Sequence, residues 1–466
     1  MAIYHFTVAV LSRARGHRIV AAAAAQAATK LRDDYYGILH NHARRAGVEF
    51  TEILAPEGAP SWVFDREQLW NRVEAAERRK DSQLARALEL SLPVELTHEE
   101  RIDLLRDFIR AEFVAKGMIA DIGIRRTKLD NPNAHVLLTL RAATAAGFGP
   151  KMRQWNGKSN LLIWRASWAN RANLHLARAG LCLRIDHRTL DAQQIELTPA
   201  RKTGVGHTLN DVEALPEHLQ ARFAEQRRIA HANGAAIIED PAIAIRALAH
   251  QRRSFTSAEL DQFLKSRTDG AAQHDRALSA VMACPDLIAL SPADGRRTQY
   301  TSRDLIEAEK SLMRRALTLA ARRQGAARAG AAAPQVADAA LMPTSWSQPL
   351  REAFAYIVSA GDFKAVALQG EEQAELLAAA RAHWATQGRR VLDGIPQAEE
   401  AALAKDDLVV VAGAEMIDLK SLERILAAVE RARVKLVLLA DAAQLHALGA
   451  MSAMNDLMGV GRDTDP

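Results

Sequence analysis

By residue type, two tyrosines, one histidine, one strand glutamate and a set of guanidinium and ammonium groups are the side chains best suited to handling a phosphodiester. Tyr35 and Tyr36 lie side by side in the polar segment Asp33-Asp34-Tyr35-Tyr36-Gly37. A phenol oxygen can attack phosphorus and form an ester. His135 stands near the start of an apolar run, and a neutral imidazole suits a divalent ion. Glu89 is the carboxylate of the strand-like segment 84–92, and Arg125, Arg126 and Lys128 precede a polar turn, with Lys151 and Arg153 further on. Such cations attract phosphate. Each group also has a plainer role. The tyrosines suit partly buried loop aromatics, Glu89 a solvent-facing strand position, and the cations a solvated hairpin edge. A single histidine holds a metal weakly, and a guanidinium, which stays protonated in a protein, repels a cation.

The elements that would carry these groups follow from periodicity. Residues 118–140 read as two strands joined by a turn. Ile119, Ile122, Ile124, Val136, Leu137 and Leu138 supply apolar faces, and Asp130-Asn131-Pro132-Asn133 supplies the turn. Residues 1–10 alternate as a strand, with Ile3, His5 and Thr7 on one face. A basic loop, Ser12 to Arg18, leads into the alanine-rich segment 20–31, a strong helix former. Residues 50–56 and 84–92 read as strands, the second stopped by Pro93. Residues 65–80 form an amphipathic helix with Leu69, Trp70, Val73 and Ala76 at helical spacing. Thr97-His98-Glu99-Glu100 is a capping box opening a helix that turns Ile102, Leu105, Phe108, Ile109 and Phe113 inward. Trp155, Trp164 and Trp168 suit base stacking or, more commonly, a packed core. Beyond residue 198 the pattern is mostly helical and polar, and residues 324–345, biased to Ala, Gly and Pro, read as a linker. The last block expects a helix over 348–361, a short buried strand over 364–368, a loop and helix over 370–383, and apolar strands over 407–411 and 435–439.

Composition limits the classes. A length of 466 residues with 48% hydrophobic and 25% charged residues fits roughly two to four globular domains. The balance of 61 basic to 56 acidic residues, net +5, permits a polyanionic partner without demanding one. Two cysteines, Cys182 and Cys284, exclude a disulfide framework and a cysteine-rich zinc site, and fit a reducing cytoplasm. No apolar run reaches the roughly 18 residues of a membrane span, so no membrane insertion is expected. The N-terminus lacks the charged region and cleavage site of a signal peptide.

The segment 118–140 is similar to the metal hairpin of the MobA/MobL conjugative relaxases, single-strand DNA nickases. In that family the second strand carries His-hydrophobic-His and a third histidine ends the first strand. Here Asn133-Ala134-His135 fills the pair and Arg125 occupies the third position. The family's helix carries a nucleophilic tyrosine, and the resemblance lays Ala25 on it. It also lays Glu89 on a carboxylate beside the metal. Residues 47–60, Gly147-Phe148-Gly149-Pro150-Lys151, Arg184-Ile185-Asp186-His187-Arg188-Thr189-Leu190 and Arg267-Thr268-Asp269-Gly270 resemble other family strings. His187 is not assigned to a metal. The wider resemblance, over nearly the whole chain, is to TraA-like relaxase–helicases of the Ti-plasmid type. Their phosphate loop needs G-x-x-x-x-G-K-[S/T]. Gly370 matches its first glycine, but Glu371-Glu372-Gln373-Ala374 follow and no Gly-Lys pair comes after. The motor's Asp-Glu pair is replaced by Ala412-Gly413, and a later motif survives only as Asp441, Gln444 and Leu445.

The resemblance implies an α+β relaxase-like domain with an antiparallel sheet and helices over 1–200, an α-helical connector over 201–323, the linker over 324–345, and a truncated, degenerate RecD or P-loop NTPase-like α/β domain over 346–466. It implies a plasmid-mobilisation protein that binds single-stranded or hairpin origin-of-transfer DNA through Arg125, Arg126, Lys128, Lys151 and Arg153. Nicking and ATP hydrolysis are expected to be lost, a pseudoenzyme with no nucleotide-binding residues. No cofactor is expected beyond a residual magnesium or manganese ion at His135. Two alternatives stay open. One is an active metal-dependent nickase using Tyr35 or Tyr36 with Glu89 and His135. The other is a protein–protein adaptor of the transfer apparatus.

Overall fold

The computed structural model describes residues 4–126, 132–144, 147–181, 183–199, 217–290, 298–321, 345–359, 361–368, 370–393, 403–404, 407–414, 417 and 419–442. The expected contact Lys128, most of the linker, and Gln444 and Leu445 lie outside them. The fold is mixed α+β. The chain divides into two compact units, Met1–Leu176 with Leu183–Glu239 and Leu264–Ala277, and Ala177–Cys182 with Asp240–Phe263 and Leu278–Pro466.

The first unit is built on a five-stranded antiparallel sheet. Its strands are β1 (Phe6–Ser12), β4 (Val48–Leu54), β5 (Gln83–Ser91), β6 (Ala120–Arg125) and β7 (Asn133–Leu138), in the order β1-β5-β7-β6-β4. The short ribbon of β2 (Lys30–Asp33) and β3 (Ile38–Asn41) and that of β8 (Arg141–Thr144) and β9 (Gly147–Lys151) stand outside this sheet. One face packs on α1 (Ile19–Gln26) and α2 (Arg66–Ala76). There Ile19, Val20, Ala23, Ala24, Leu69, Trp70 and Val73 share a core with Ala85, Ile119 and Leu137 of the strands. The other face receives α3 (His98–Glu112) and α4 (Lys158–Arg178), where Phe6, Phe108, Phe113, Trp164 and Trp168 form edge-on and tilted aromatic contacts. Trp155, Trp164 and Trp168 are buried, so these indoles pack the core. Thr97 and Glu100 make both bonds of the expected capping box.

The alanine-rich helix is shorter than its composition predicts. It ends at Gln26 because Ala28 turns left-handed at φ 49° while Thr29 N–H donates to the Ala24 carbonyl at 3.0 Å. That is a Schellman ending with alanine where glycine is favoured. The chain then folds back as the β2–β3 ribbon, so Tyr35 and Tyr36 occupy a ribbon tip rather than a position three helical turns further on.

In the second unit, β13 (Phe363–Leu368), β14 (Val391–Asp393), β15 (Leu408–Ala412) and β16 (Lys435–Asp441) form a parallel sheet in the order β13-β16-β15-β14. On one face lie α10 (Gln348–Val358) and α11 (Gly370–Thr386), and on the other α9 (Arg303–Ala321) and α12 (Leu419–Ala432). The stripe Leu312, Ala316, Leu319 and Ala320 is buried there, so α9, read from sequence as connector, is a layer of this sheet. Residues 255–302 also form a small sheet, β10 (Phe255–Thr256), β12 (Gln299–Ser302) and β11 (Leu287–Leu290), which helical periodicity did not signal. The helix after β13 begins at Gly370, one residue past Gln369, not after the expected loop.

Candidate nucleic-acid interface

Strand register builds a floor on the α1 side of the antiparallel sheet. Thr7 pairs with Glu89, Glu89 with His135, His135 with Gly123, and Gly123 with Thr51. That row crosses all five strands. Because side chains alternate with period two, the next row on the same face holds Ser91, Asn133 and Arg125. Ser91 pairs with Asn133 and Asn133 with Arg125. The Ser91 hydroxyl donates to Asn133 Oδ1 at 3.0 Å. His5, just ahead of β1, places its Nε2 3.9 Å from Glu89 Oε1, and its carbonyl accepts from Ser91 N–H at 3.2 Å. The three positions that the resemblance relates to metal histidines, Arg125, Asn133 and His135, therefore stand together at one end of the sheet.

The roof is the C-terminal end of α1. A Cβ built on Gly123 would meet Gln26 Cγ at 3.2 Å and its carbonyl at 3.6 Å, so the helix end lies directly over His135's cross-strand partner. Glycine permits that close approach. Gln26 Nε2 donates to the Asp121 carbonyl at 2.8 Å. The fully buried Asp121 carboxylate in turn accepts from Arg66 Nε and Nη2 at 2.8 and 2.9 Å and from Trp70 Nε1 at 2.8 Å. The Asp121 carboxylate thus fixes β6 to α2, and the Asp121 carbonyl holds Gln26 of α1 to the same strand. Ala25, half-buried beside Gln26, receives Arg45 Nη1 on its carbonyl at 3.3 Å.

Electrostatically, this end is positive. The Arg45 guanidinium is held below its ordinary value, first by partial desolvation and then by the charge of Arg125. Arg101 is lowered in the same way, by desolvation and then by Arg126. Arg126 is exposed, and its N–H donates to the Gly47 carbonyl at 2.7 Å. Gly47, at φ 87°, has room for no side chain, since a Cβ would lie 2.5 Å from that arginine's own carbonyl oxygen.

The other expected residues do not join this cluster. Tyr36 packs under Arg18, with 4.5 Å from guanidinium carbon to ring centroid, and Tyr35 under Arg13 at 4.6 Å. Arg18 caps the N-terminal end of α1, the end away from Gln26. An eight-residue helix is roughly 12 Å long at about 1.5 Å per residue, so the phenols and His135 are served by opposite ends of it. The expected nickase site of Tyr35 or Tyr36 with Glu89 and His135 would have to span the length of α1. Lys151 is turned inward: its Nζ lies 3.1 Å from Glu77 Oε1 and donates to the Gln83 carbonyl at 2.7 Å. Arg153 is exposed, in the turn ahead of α4. Sequence reasoning missed Arg45, Gln26, Asp121 and the nearness of His5. Only His5 left a signal, its position on one face of an alternating strand.

The donors on the floor fit a divalent metal poorly. Beside the imidazoles of His5 and His135 and the Glu89 carboxylate, this end carries a carboxamide and a guanidinium, and the guanidinium opposes a cation. Among the described residues no three His, Cys, Asp or Glu side chains group as a metal site. No helix of the described residues is long and apolar enough to cross a membrane.

Residues 17–213 match the MobA/MobL family. The conjugal transfer protein TraA of Agrobacterium fabrum is 29% identical over a 472-residue alignment that takes in 91% of this chain and 42% of that protein. The mobilization protein MobL of Acidithiobacillus ferridurans is 32% identical over 238 residues, 44% of this chain and 62% of the relative. The chain thus spans only about two fifths of the TraA relative, by the 42% coverage. A structure solved for the molecular basis of vancomycin resistance transfer in Staphylococcus aureus is 33% identical, covering 40% of this chain and 100% of that one, with a TM-score of 0.38.

Proposed function

Since residues 17–213 make this chain a member of the MobA/MobL family, we propose that it is a plasmid-mobilisation protein that holds single-stranded or hairpin origin-of-transfer DNA on the α1 face of its sheet without cutting it. The observation that carries this reading is the placement of the α1 end, with Gln26 over Gly123, the register partner of His135, and Ala25 as the residue before it. The position related to the family's nucleophile is beside the floor, but it carries a methyl group. Strand breakage by transesterification needs a nucleophilic oxygen there. The rings of Tyr35 and Tyr36 pack under Arg13 and Arg18, residues that precede α1. What the floor retains is affinity. Arg45, Arg125 and Arg126 can contact backbone phosphates, which position a strand without reading its bases.

The second unit is proposed to be a helicase-like remnant without ATP hydrolysis, which leaves it free to contact transfer-apparatus proteins. A phosphate loop must curl around the anion before its helix starts. Here a single residue separates Leu368 from a helix whose first turn carries Glu371 and Glu372. ATP with magnesium should leave the melting temperature unchanged; a rise of several degrees contradicts this part.

The direct test is binding of a fluorescent single-stranded origin oligonucleotide by anisotropy across a salt series. Affinity should fall steeply with salt, as phosphate contacts require. Binding that is absent, or equal at low and high salt, favours the protein–protein adaptor.

A further inference from the structure

Arg125 occupies a position that the family resemblance gives to a metal ligand, and its chemistry is the inverse of a ligand's. Its Nε is shielded from solvent and has no hydrogen-bond partner among the described residues. Arg45 lies close enough for the two charges to oppose each other. No carboxylate of the described residues is ion-paired to either. The two acids at this end of the sheet face other groups, Glu89 toward His5 at 3.9 Å and Glu49 toward His98 at 3.7 Å. Asn133, the register partner of Arg125, has its carboxamide oxygen bonded by Ser91, which leaves its amide NH2 group as a donor. Two guanidinium groups and an amide, with no anion among them, are a donor set lacking its acceptor. A phosphate supplies that acceptor in the geometry arginine forks match best.

We propose that Arg125 and Arg45, assisted by Asn133, form an oxyanion site that takes a backbone phosphate of single-stranded DNA where relatives would hold a cation. The site rests on the DNA-binding reading above for the identity of its ligand, but not for its preference for anions. It makes phosphate engagement independent of divalent metal. The guanidinium charges neutralise the phosphate directly.

Two measurements separate this proposal from the reading it rests on. The first uses pyrophosphate alone. Thermal melts of the full chain at matched ionic strength should show a rise in melting temperature with pyrophosphate. The rise should be lost or at least halved in Arg125→Gln and in Arg45→Gln, and partly kept in Arg125→Lys. Arg45 is exposed, so its replacement leaves the core intact. No rise in the wild type, or an equal rise in both glutamine variants, overturns the site. The second uses a fluorescein-labelled, mixed-sequence single-stranded oligonucleotide. Each glutamine variant should bind roughly tenfold more weakly, the scale of one charged hydrogen-bonding contact. The salt slope should fall by about one, and EDTA or manganese should change nothing. Unchanged affinity and slope in both variants overturns the site even if the wild type binds. If the wild type binds no oligonucleotide, the DNA reading fails, and the pyrophosphate melts still decide the anion site.

Discussion

At the scale of single residues, the floor differs from a metal centre by identity rather than by placement. Register sets Arg125 opposite Asn133 and His135 opposite Gly123, so imidazoles introduced at 125 and 133 would join His135 on one face. The double substitution Arg125→His, Asn133→His should therefore create a manganese site there. Saturating metal at about 100 times its dissociation constant adds roughly 2.7 kcal/mol. The check is a thermal melt with and without manganese, and an unchanged melting temperature in the double variant contradicts the placement. A second residue-level prediction concerns His187, held below its ordinary 6.5 chiefly by burial, with Arg188 and Arg165 adding to the shift and Asp186 opposing it. The unfolded chain then binds the proton before the folded one does as pH falls. Stability from this group is fully present above the ordinary value and declines as pH drops below it toward the lower folded value. Between pH 7.5 and pH 5 the wild type should lose more stability in denaturant melts than His187→Gln does. Parallel losses would remove the group from the pH response.

At the scale of elements, the site depends on how α1 ends and what holds that end down. The Asp121 carboxylate gathers Arg66 and Trp70, and its own backbone carbonyl holds Gln26. Asp121→Ala leaves the Arg66 charge without its partner and should cost about 3 kcal/mol or more in urea unfolding. A loss below about 1 kcal/mol would mean the helices are positioned by packing alone. Ala28 sits left-handed at φ 49°, so Ala28→Gly should stabilise the fold by about 1 kcal/mol. A destabilisation there would rule out the Schellman ending. These two features show what was legible in the sequence and what was not. The strands β4 to β7 and the helices α2 and α3 were readable, because their apolar periodicity and the Thr97–Glu100 box are local signals. The end of α1 was not, since propensity favours helix through Leu31 and only a left-handed alanine and the β2–β3 ribbon stop it. The ribbon tip that carries Tyr35 and Tyr36 was hidden for the same reason. Lys151 reads as a free cation until Glu77, 74 positions earlier in the chain by their numbers, is folded beside it. Likewise α9 reads as connector because the sheet that buries its stripe lies later in the chain.

At the scale of the whole molecule, the two units carry different chemistry. The antiparallel sheet supplies a positive floor with its helix end closed over it. The parallel sheet pairs β13, β16, β15 and β14 with helices on both faces, yet it leaves one residue where a phosphate loop would stand. A protein of this kind would occupy origin DNA without turning it over. The measurement that tests this most directly combines anisotropy with a denaturing gel, on one labelled single-stranded origin oligonucleotide incubated with the full chain and manganese. The expected result is saturable, salt-sensitive binding and an oligonucleotide that stays full length with no covalently attached protein. A shortened oligonucleotide carrying protein on its 5′ end, abolished by Tyr36→Phe, would contradict it.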